Sequence, residues 1–283
     1  MFQSIYLPVT TIPDSLQAGD GTRLALHRWP GDGPRGTVLV VHGLGEHGGR
    51  YAHVAAWFAA RGLRCVGYDH RGHGRSEGAR GIIPTAGALR DDLGTVVDAL
   101  RPSSGTFLLL GHSMGGAVVA DFVARRVRAA DLVILTSPAL KAPLSVFQRL
   151  QLAIGRRFAP DLAQGNGLDA TGIAHDPATV QAYLDDPLVH DRISARLAQA
   201  ILDSGEAALA AAPKWDTATL LLYAGADRLV DPRGSDAFAA SAPREVVESQ
   251  RFDALFHEIL NEGELAAPVF ARIERWLDAR LPR

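Results

Sequence analysis

Short, uniformly apolar runs alternate along the chain with longer stretches in which apolar residues recur at helical spacing. Thr37 to Val41 (Thr-Val-Leu-Val-Val) is apolar at both alternating sets of positions, as a strand buried on both faces requires. Arg64 to Tyr68, Phe107 to Leu110, Leu132 to Thr136 and Leu220 to Ala224 repeat that signature, while Arg23 to Trp29 alternates like an early, half-exposed strand. Between them, Tyr51 to Arg61, Ala86 to Leu100, Met114 to Arg126 and Leu265 to Arg280 carry helical spacing. Alternating β and α units predict an α/β fold with a mostly parallel central sheet covered by helices on both faces.

One stretch departs from this rhythm. From Ala139 to about Pro213 no buried strand is legible, only helical patterns punctuated by Pro143, Pro160, Pro177, Pro187 and Pro213. The expected organisation is a core domain of residues 1–138 and 214–283 interrupted by a helical cap, 139–213. Ligands of open α/β sheets bind outside the carboxyl ends of the strands, so an insertion leaving after Thr136 lies over that edge as a lid. The alternative is a set of extra packing helices with no substrate role. Within the insertion, Leu144, Phe147, Leu150, Ile154 and Phe158 form a stripe with Arg149, Arg156 and Arg157 nearby. Such a helix meets a lipid or micelle surface, lines an acyl tunnel, or packs on the main domain.

Composition narrows the function classes. The chain has 283 residues, is 47% hydrophobic and 21% charged, and carries 29 basic against 31 acidic residues, for a formal charge of -2. That supports a real core and gives no electrostatic footprint for nucleic acid. The single cysteine, Cys65, forbids an internal disulfide and any multi-thiolate metal site. Met1 to Pro13 shows no basic segment, long apolar run or cleavage pattern, so the expectation is a cytoplasmic protein. Oligomeric state is not legible.

The sharpest chemical signal is Phe107-Leu-Leu-Leu-Gly-His-Ser-Met-Gly-Gly116, a strand running through G-x-S-x-G into a helix. This strand-turn-helix places Ser113 Oγ above the sheet at a helix N-terminus, and small residues at Gly111 and Gly115 let the strained turn pack. Serine is a weak nucleophile without a base and a residue to orient that base. The order expected on this fold is serine, acid, histidine. Asp227 lies just past the strand ending at Ala224, Asp231 competes for the same role or caps the helix beginning near Pro232, and His257 is the only histidine after them. An acyl-transfer site also needs oxyanion donors, for which the amide of Met114 and that of Leu44, between Gly43 and Gly45, are the candidates. His42 reads as a structural hydrogen-bonding residue. The Asp69 to Gly78 loop is rich in His, Arg and Asp, yet its interleaved Gly and Arg argue for an ion-paired turn rather than a metal site. No phosphate-cradling loop or dinucleotide fingerprint is present, so no cofactor is expected.

Four segments together, His42-Gly-Leu-Gly-Glu-His-Gly-Gly-Arg-Tyr51, Asp69-His-Arg-Gly-His-Gly-Arg-Ser-Glu-Gly78, Gly111-His-Ser-Met-Gly-Gly116 and His257-Glu-Ile-Leu-Asn-Glu262, resemble the monoacylglycerol lipase and lysophospholipase group of the α/β-hydrolase fold. The likeness runs from about Arg23 to Leu281, and Tyr183-Leu-Asp-Asp-Pro-Leu-Val-His-Asp-Arg-Ile-Ser194 resembles the group's cap. The resemblance implies Ser113, Asp227 and His257 as the triad and the amides of Leu44 and Met114 as the oxyanion hole. It also implies Glu46, Arg50, His112 and Tyr183 as the polar end that orients a glycerol-like alcohol, although Arg50 with Glu46 also reads as a local ion pair. The activity so implied is hydrolysis of monoacylglycerols or similar single-chain lipid esters. Rival readings are a lysophospholipase or broad short-chain carboxylesterase, a haloperoxidase or aminopeptidase using the same triad, and a non-catalytic binding protein on the same fold.

Overall fold

The computed structural model describes residues 12–102, 105–143 and 145–281. Most of the amino-terminal segment read for targeting, and Leu144 of the insertion stripe, lie outside them, as does the side chain of Arg149. Ten strands and eight helices appear among the described residues. Eight strands form one sheet in the order β1 (Ser15–Gln17), β2 (Arg23–Arg28), β4 (Leu63–Tyr68), β3 (Gly36–Val41), β5 (Thr106–His112), β6 (Leu132–Thr136), β9 (Thr219–Ala224), β10 (Val247–Phe252). Pairings β1–β2 and β2–β4 are antiparallel; all the others are parallel.

The uniformly apolar runs are strands because each alternate set of side chains meets a different helical layer. In β3, Leu39 and Val41 join the cluster formed with α2 (Ala88–Leu100), α3 (Ser113–Ala124) and α7 (Arg233–Ser241). Val38 and Val40 face the opposite way, toward α1 (Ala52–Ala59) and α8 (Ala267–Asp278). The chain leaves β3 for β4 on one side and then crosses to β5 on the other. That reversal is a topological switch point, where a crevice opens between the loops that follow β3 and β5.

The insertion holds α4 (Val146–Phe158), β7 (Ala163–Gly165), α5 (Pro177–Asp185), β8 (Arg192–Ser194) and α6 (Ala195–Ala211). β7 and β8 are a short antiparallel pair separate from the main sheet. Helix starts here follow local chemistry: Ser145 and Gln148 form a reciprocal capping box on α4, and Ser194 caps α6 through the Leu197 amide. α6 is anchored on the main domain. Its Leu197, Ala200 and Ala208 join the same apolar cluster as α2 and α3, and a Cβ at Gly205 would come within 2.5 Å of the Leu140 carbonyl oxygen. α4 has the opposite character, with Phe147, Leu150, Ile154 and Phe158 all exposed. Among the described residues no helix is long and apolar enough to cross a membrane.

Candidate active site

The turn between β5 and α3 is built by close backbone approach. Ser113 sits at φ +52°, a left-handed conformation that costs a non-glycine residue energy and is held by its surroundings. A Cβ at Gly115 would lie 2.2 Å from the Val41 carbonyl oxygen, so only glycine lets α3 start this close to β3. Gly43, in the loop after β3, comes close from the other side: a Cβ there would fall 3.1 Å from that of Ser113, a tight contact. The result is a half-buried serine that faces the cavity between two loops whose positions the sheet fixes.

His257 Nε2 lies 2.8 Å from Ser113 Oγ, and its Nδ1 lies 2.6 Å from Asp227 Oδ2. Asp227 is oriented in turn by the amides of Leu229 and Val230, at 2.8 and 2.9 Å to Oδ1. Burial opposes charge on this pair, yet each partner favours the ionised form of the other: the Asp227 carboxyl is held below the usual carboxylate range and the His257 imidazole is raised above 6.5. A hydroxyl, an imidazole and a carboxylate in this chain of hydrogen bonds can move the serine proton to the imidazole and stabilise the resulting cation. Asp231, the competing acid, is turned elsewhere. It accepts from the amide and the guanidinium of Arg233 at the start of α7.

These groups open on a cavity of about 300 Å³ that Leu44, Met114, Ser113 and His257 line. Glu46, His112 and Tyr183 line it too, whereas Arg50 lines a separate hollow. Glu46 is buried and saturated on one oxygen: Oε1 accepts from the Gly43 amide at 2.6 Å and from Tyr51 Oη at 2.8 Å. Its Oε2 accepts from Arg50 Nη1 at 2.7 Å. Burial works against ionisation of Glu46, but Arg50, His112, His42 and the Gly43 amide together outweigh it and the carboxyl sits at about 2. His112 Nδ1 donates to the Thr136 carbonyl at 3.0 Å, which fixes the tautomer and leaves Nε2 as an acceptor. Burial pushes this imidazole down to about 4, so it is neutral in ordinary buffers. Tyr183 carries Arg50 over its ring at 4.8 Å, and burial raises its phenol to about 12.

Sequence reasoning missed Glu258. Arg50 reaches it with two parallel hydrogen bonds, Nη1 to Oε1 at 2.7 Å and Nη2 to Oε2 at 2.8 Å, and Glu258 lines the cavity. The available signal was its place beside His257, which alone does not distinguish an inward carboxylate from a solvated one. Nor is the pairing of Arg50 with Glu46 merely local, since the guanidinium bridges both carboxylates.

The histidine-rich segments serve the scaffold. His42 donates from Nδ1 to the Gly43 carbonyl and accepts the His70 amide on Nε2, and burial pushes its imidazole down to about 3. Among the described residues, His27, His47 and Asp69 each bring one potential ligand atom within 4.8 Å of the others. Those atoms are engaged in hydrogen bonds, His27 to Asp69 at 2.6 Å and His47 to Asp186 at 2.9 Å. Asp69 also accepts from the amides of Gly48 and Arg75, tying the two loops together.

Comparison with known proteins adds an independent line. The family model described as Hydrolase_4, serine aminopeptidase S33, matches residues 32–264. The chain is 35% identical to a monoacylglycerol lipase of Mycolicibacterium smegmatis over 251 residues, 86% of this chain and 89% of that protein. It is 29% identical to the phospholipase YtpA of Bacillus subtilis, covering 83% of this chain and 93% of that protein. Among solved structures, the monoacylglycerol lipase of Paleococcus ferrophilus superposes with a TM-score of 0.81 at 31% identity, covering 90% of this chain and 98% of that one.

Proposed function

The chain belongs to the serine aminopeptidase S33 (Hydrolase_4) family of α/β-fold serine hydrolases related to monoglyceride lipases, and from that premise we propose that it hydrolyses monoacylglycerols or similar single-chain lipid esters. The observation that carries the reading is the hydrogen-bonded chain Ser113–His257–Asp227 opening on a cavity with one polar end and apolar walls.

In this reading the ester carbonyl sits beside Ser113, and His257 takes the hydroxyl proton as Oγ attacks. Asp227 holds the imidazole and stabilises its cation, while the amides of Leu44 and Met114 hold the oxyanion. His257 then protonates the departing alcohol, and water deacylates Ser113 through the same base. The alcohol lies against Glu46, His112 and Tyr183, with Arg50 behind them. The acyl chain runs the other way, past Ile201, Leu202 and Leu229. A second hollow, lined by Leu152, Leu162 and Ala195, shares Asn166, Gly167, Ile193 and Ala198 with the cavity and prolongs it beneath α4.

Residues 139–213 act as the cap, with α6 as its anchor and α4 as its outer face. The exposed Phe147, Leu150, Ile154 and Phe158 then meet the lipid surface that holds the substrate, with Arg156 and Arg157 in the last turn beside them. No cofactor takes part in this scheme.

The similarity to a phospholipase keeps lysophospholipids as the second reading. The test is a matched panel for wild type and Ser113→Ala: monoacylglycerols of several chain lengths, a lysophospholipid, a short aryl ester and an aminoacyl amide. Serine-dependent kcat/KM highest on monoacylglycerol supports the proposal. Turnover confined to the aryl ester reduces it to a generic esterase, and highest turnover on the amide replaces it with a peptidase.

A further inference from the structure

The alcohol end of the cavity holds more acid than base, and its hydrogen-bond inventory is one-sided. Glu46 and Glu258 both line the cavity, and their side chains are only 3% and 6% exposed. A single guanidinium, Arg50, serves both. Among the described residues, Glu46 Oε1 already accepts two donors, and Glu258 Oε2 accepts two, from Arg50 and from Asn261 Nδ2 at 2.7 Å. Glu46 Oε2 and Glu258 Oε1 each accept one, both from Arg50 Nη1, so each keeps a lone pair. His112 Nε2 adds another acceptor. Tyr183 Oη is the one side-chain group in this set that can both donate and accept.

We infer that Glu258 is a specificity-determining residue, whose second carboxylate makes the site select neutral or cationic alcohols with hydroxyl or ammonium donors and reject those bearing phosphate. A glycerol moiety offers donors to Glu46, Glu258 and His112 without adding charge. A phosphate on the same carbon brings acceptors alone, and negative charge, to a pocket where one guanidinium is shared by two carboxylates. Low exposure keeps solvent from screening that repulsion. Lys141 and Arg228 also line the cavity, but both are exposed, and Lys141 is drawn toward Asp231 at 3.9 Å. They do not neutralise the buried end.

The inference rests on the proposed ester hydrolysis and separates the two readings left by the comparisons. Its test uses three esters with the same acyl chain in the same nonionic micelle: 1-acylglycerol, the 3-amino-1,2-propanediol ester, and 1-acylglycerol 3-phosphate. For wild type, the phosphate ester is expected to be at least about tenfold slower in kcat/KM than the other two, the scale of a like-charge contact. Glu258→Gln is expected to shrink that ratio by about tenfold, whatever it does to the absolute rates. Hydrolysis of the phosphate ester by wild type within about threefold of 1-acylglycerol would overturn the inference, and that result needs no variant to fold. A discrimination that survives Glu258→Gln unchanged overturns the role of this residue. If none of the three esters is turned over in a Ser113-dependent way, it is the proposed function that fails.

Discussion

Helices α3 and α4 are nearly equal in length and both rich in apolar residues, yet they stand at opposite extremes of burial. Residues Met114 to Val123 of α3 are buried without a break, whereas none of the described side chains of α4 is buried and Phe147 and Phe158 are 67% and 78% exposed. The difference lies in what each helix is fastened to. α3 begins at a strained serine, packs against its own strand and against β3, and is pressed from outside by α6. α4 follows the insertion's first turn and lays one side over the hollow that continues the active-site cavity. Apolar content alone therefore does not tell a core helix from a surface one. Rigidity belongs where a hydroxyl must meet an imidazole at 2.8 Å, and in the proposed function the uncovered apolar area is where a lipid surface supplies the missing contacts.

Breaking the rigid region should have the largest effects. Ser113→Ala or Asp227→Asn is expected to lower kcat by three to four decades while leaving the unfolding midpoint close to that of wild type, measured with a short aryl ester and by thermal melting. Loss of less than about tenfold would show that the relay is not used. Gly115→Ala should act through the fold instead. Its Cβ overlaps the Val41 carbonyl oxygen, and a destabilisation of about 1–3 kcal/mol or more is expected in urea titration.

The exposed helix is tested by charge. Phe147→Glu with Ile154→Glu should lower turnover of micellar monoacylglycerol by about tenfold and leave hydrolysis of a water-soluble short ester within about twofold. Equal losses on both substrates would mean that α4 packs or gates rather than docks.

The smallest effect expected is on pH. His257 acts as a base only when neutral, and its pKa is raised above 6.5 by the ionised Asp227 against the pull of burial, with Glu258 adding in the same direction. Activity should therefore fall on acidification along a limb centred above pH 6.5. Glu258→Gln removes one of the negative charges, so that limb should move to lower pH, read from kcat/KM on the aryl ester. His112 and His42, at about 4 and 3, stay neutral over this range and do not contribute to the limb.

Much of this architecture was legible in the sequence because the parallel strands are covered on both faces. β6 starts at Leu132 and ends at Thr136 as its apolar run does, β3, β4 and β9 extend theirs by one residue, and β5 extends its run by three. β10 was not legible. It is an edge strand, and Val247–Phe252 (Val-Glu-Ser-Gln-Arg-Phe) needs apolar residues only where it meets the body of the sheet. β1, with three residues, is too short to show a period. In the site, the order serine, acid, histidine narrowed the choice to Ser113, His257 and one of two acids, and the fold brings Ser113, His257 and Asp227 within hydrogen-bond distance because each follows a strand end. Asp231 separated from Asp227 only in three dimensions, where the Arg233 guanidinium claims it. Glu258 stayed hidden because its partner Arg50 is 208 positions away in the chain, and no local pattern encodes such a contact.

The most direct test of the central claim is titration of the folded protein with a fluorophosphonate while residual monoacylglycerol turnover is followed. The account expects one equivalent to bond to Ser113, with turnover falling in proportion to the fraction labelled and reaching zero at full occupancy. Turnover that persists after Ser113 is fully labelled would contradict it.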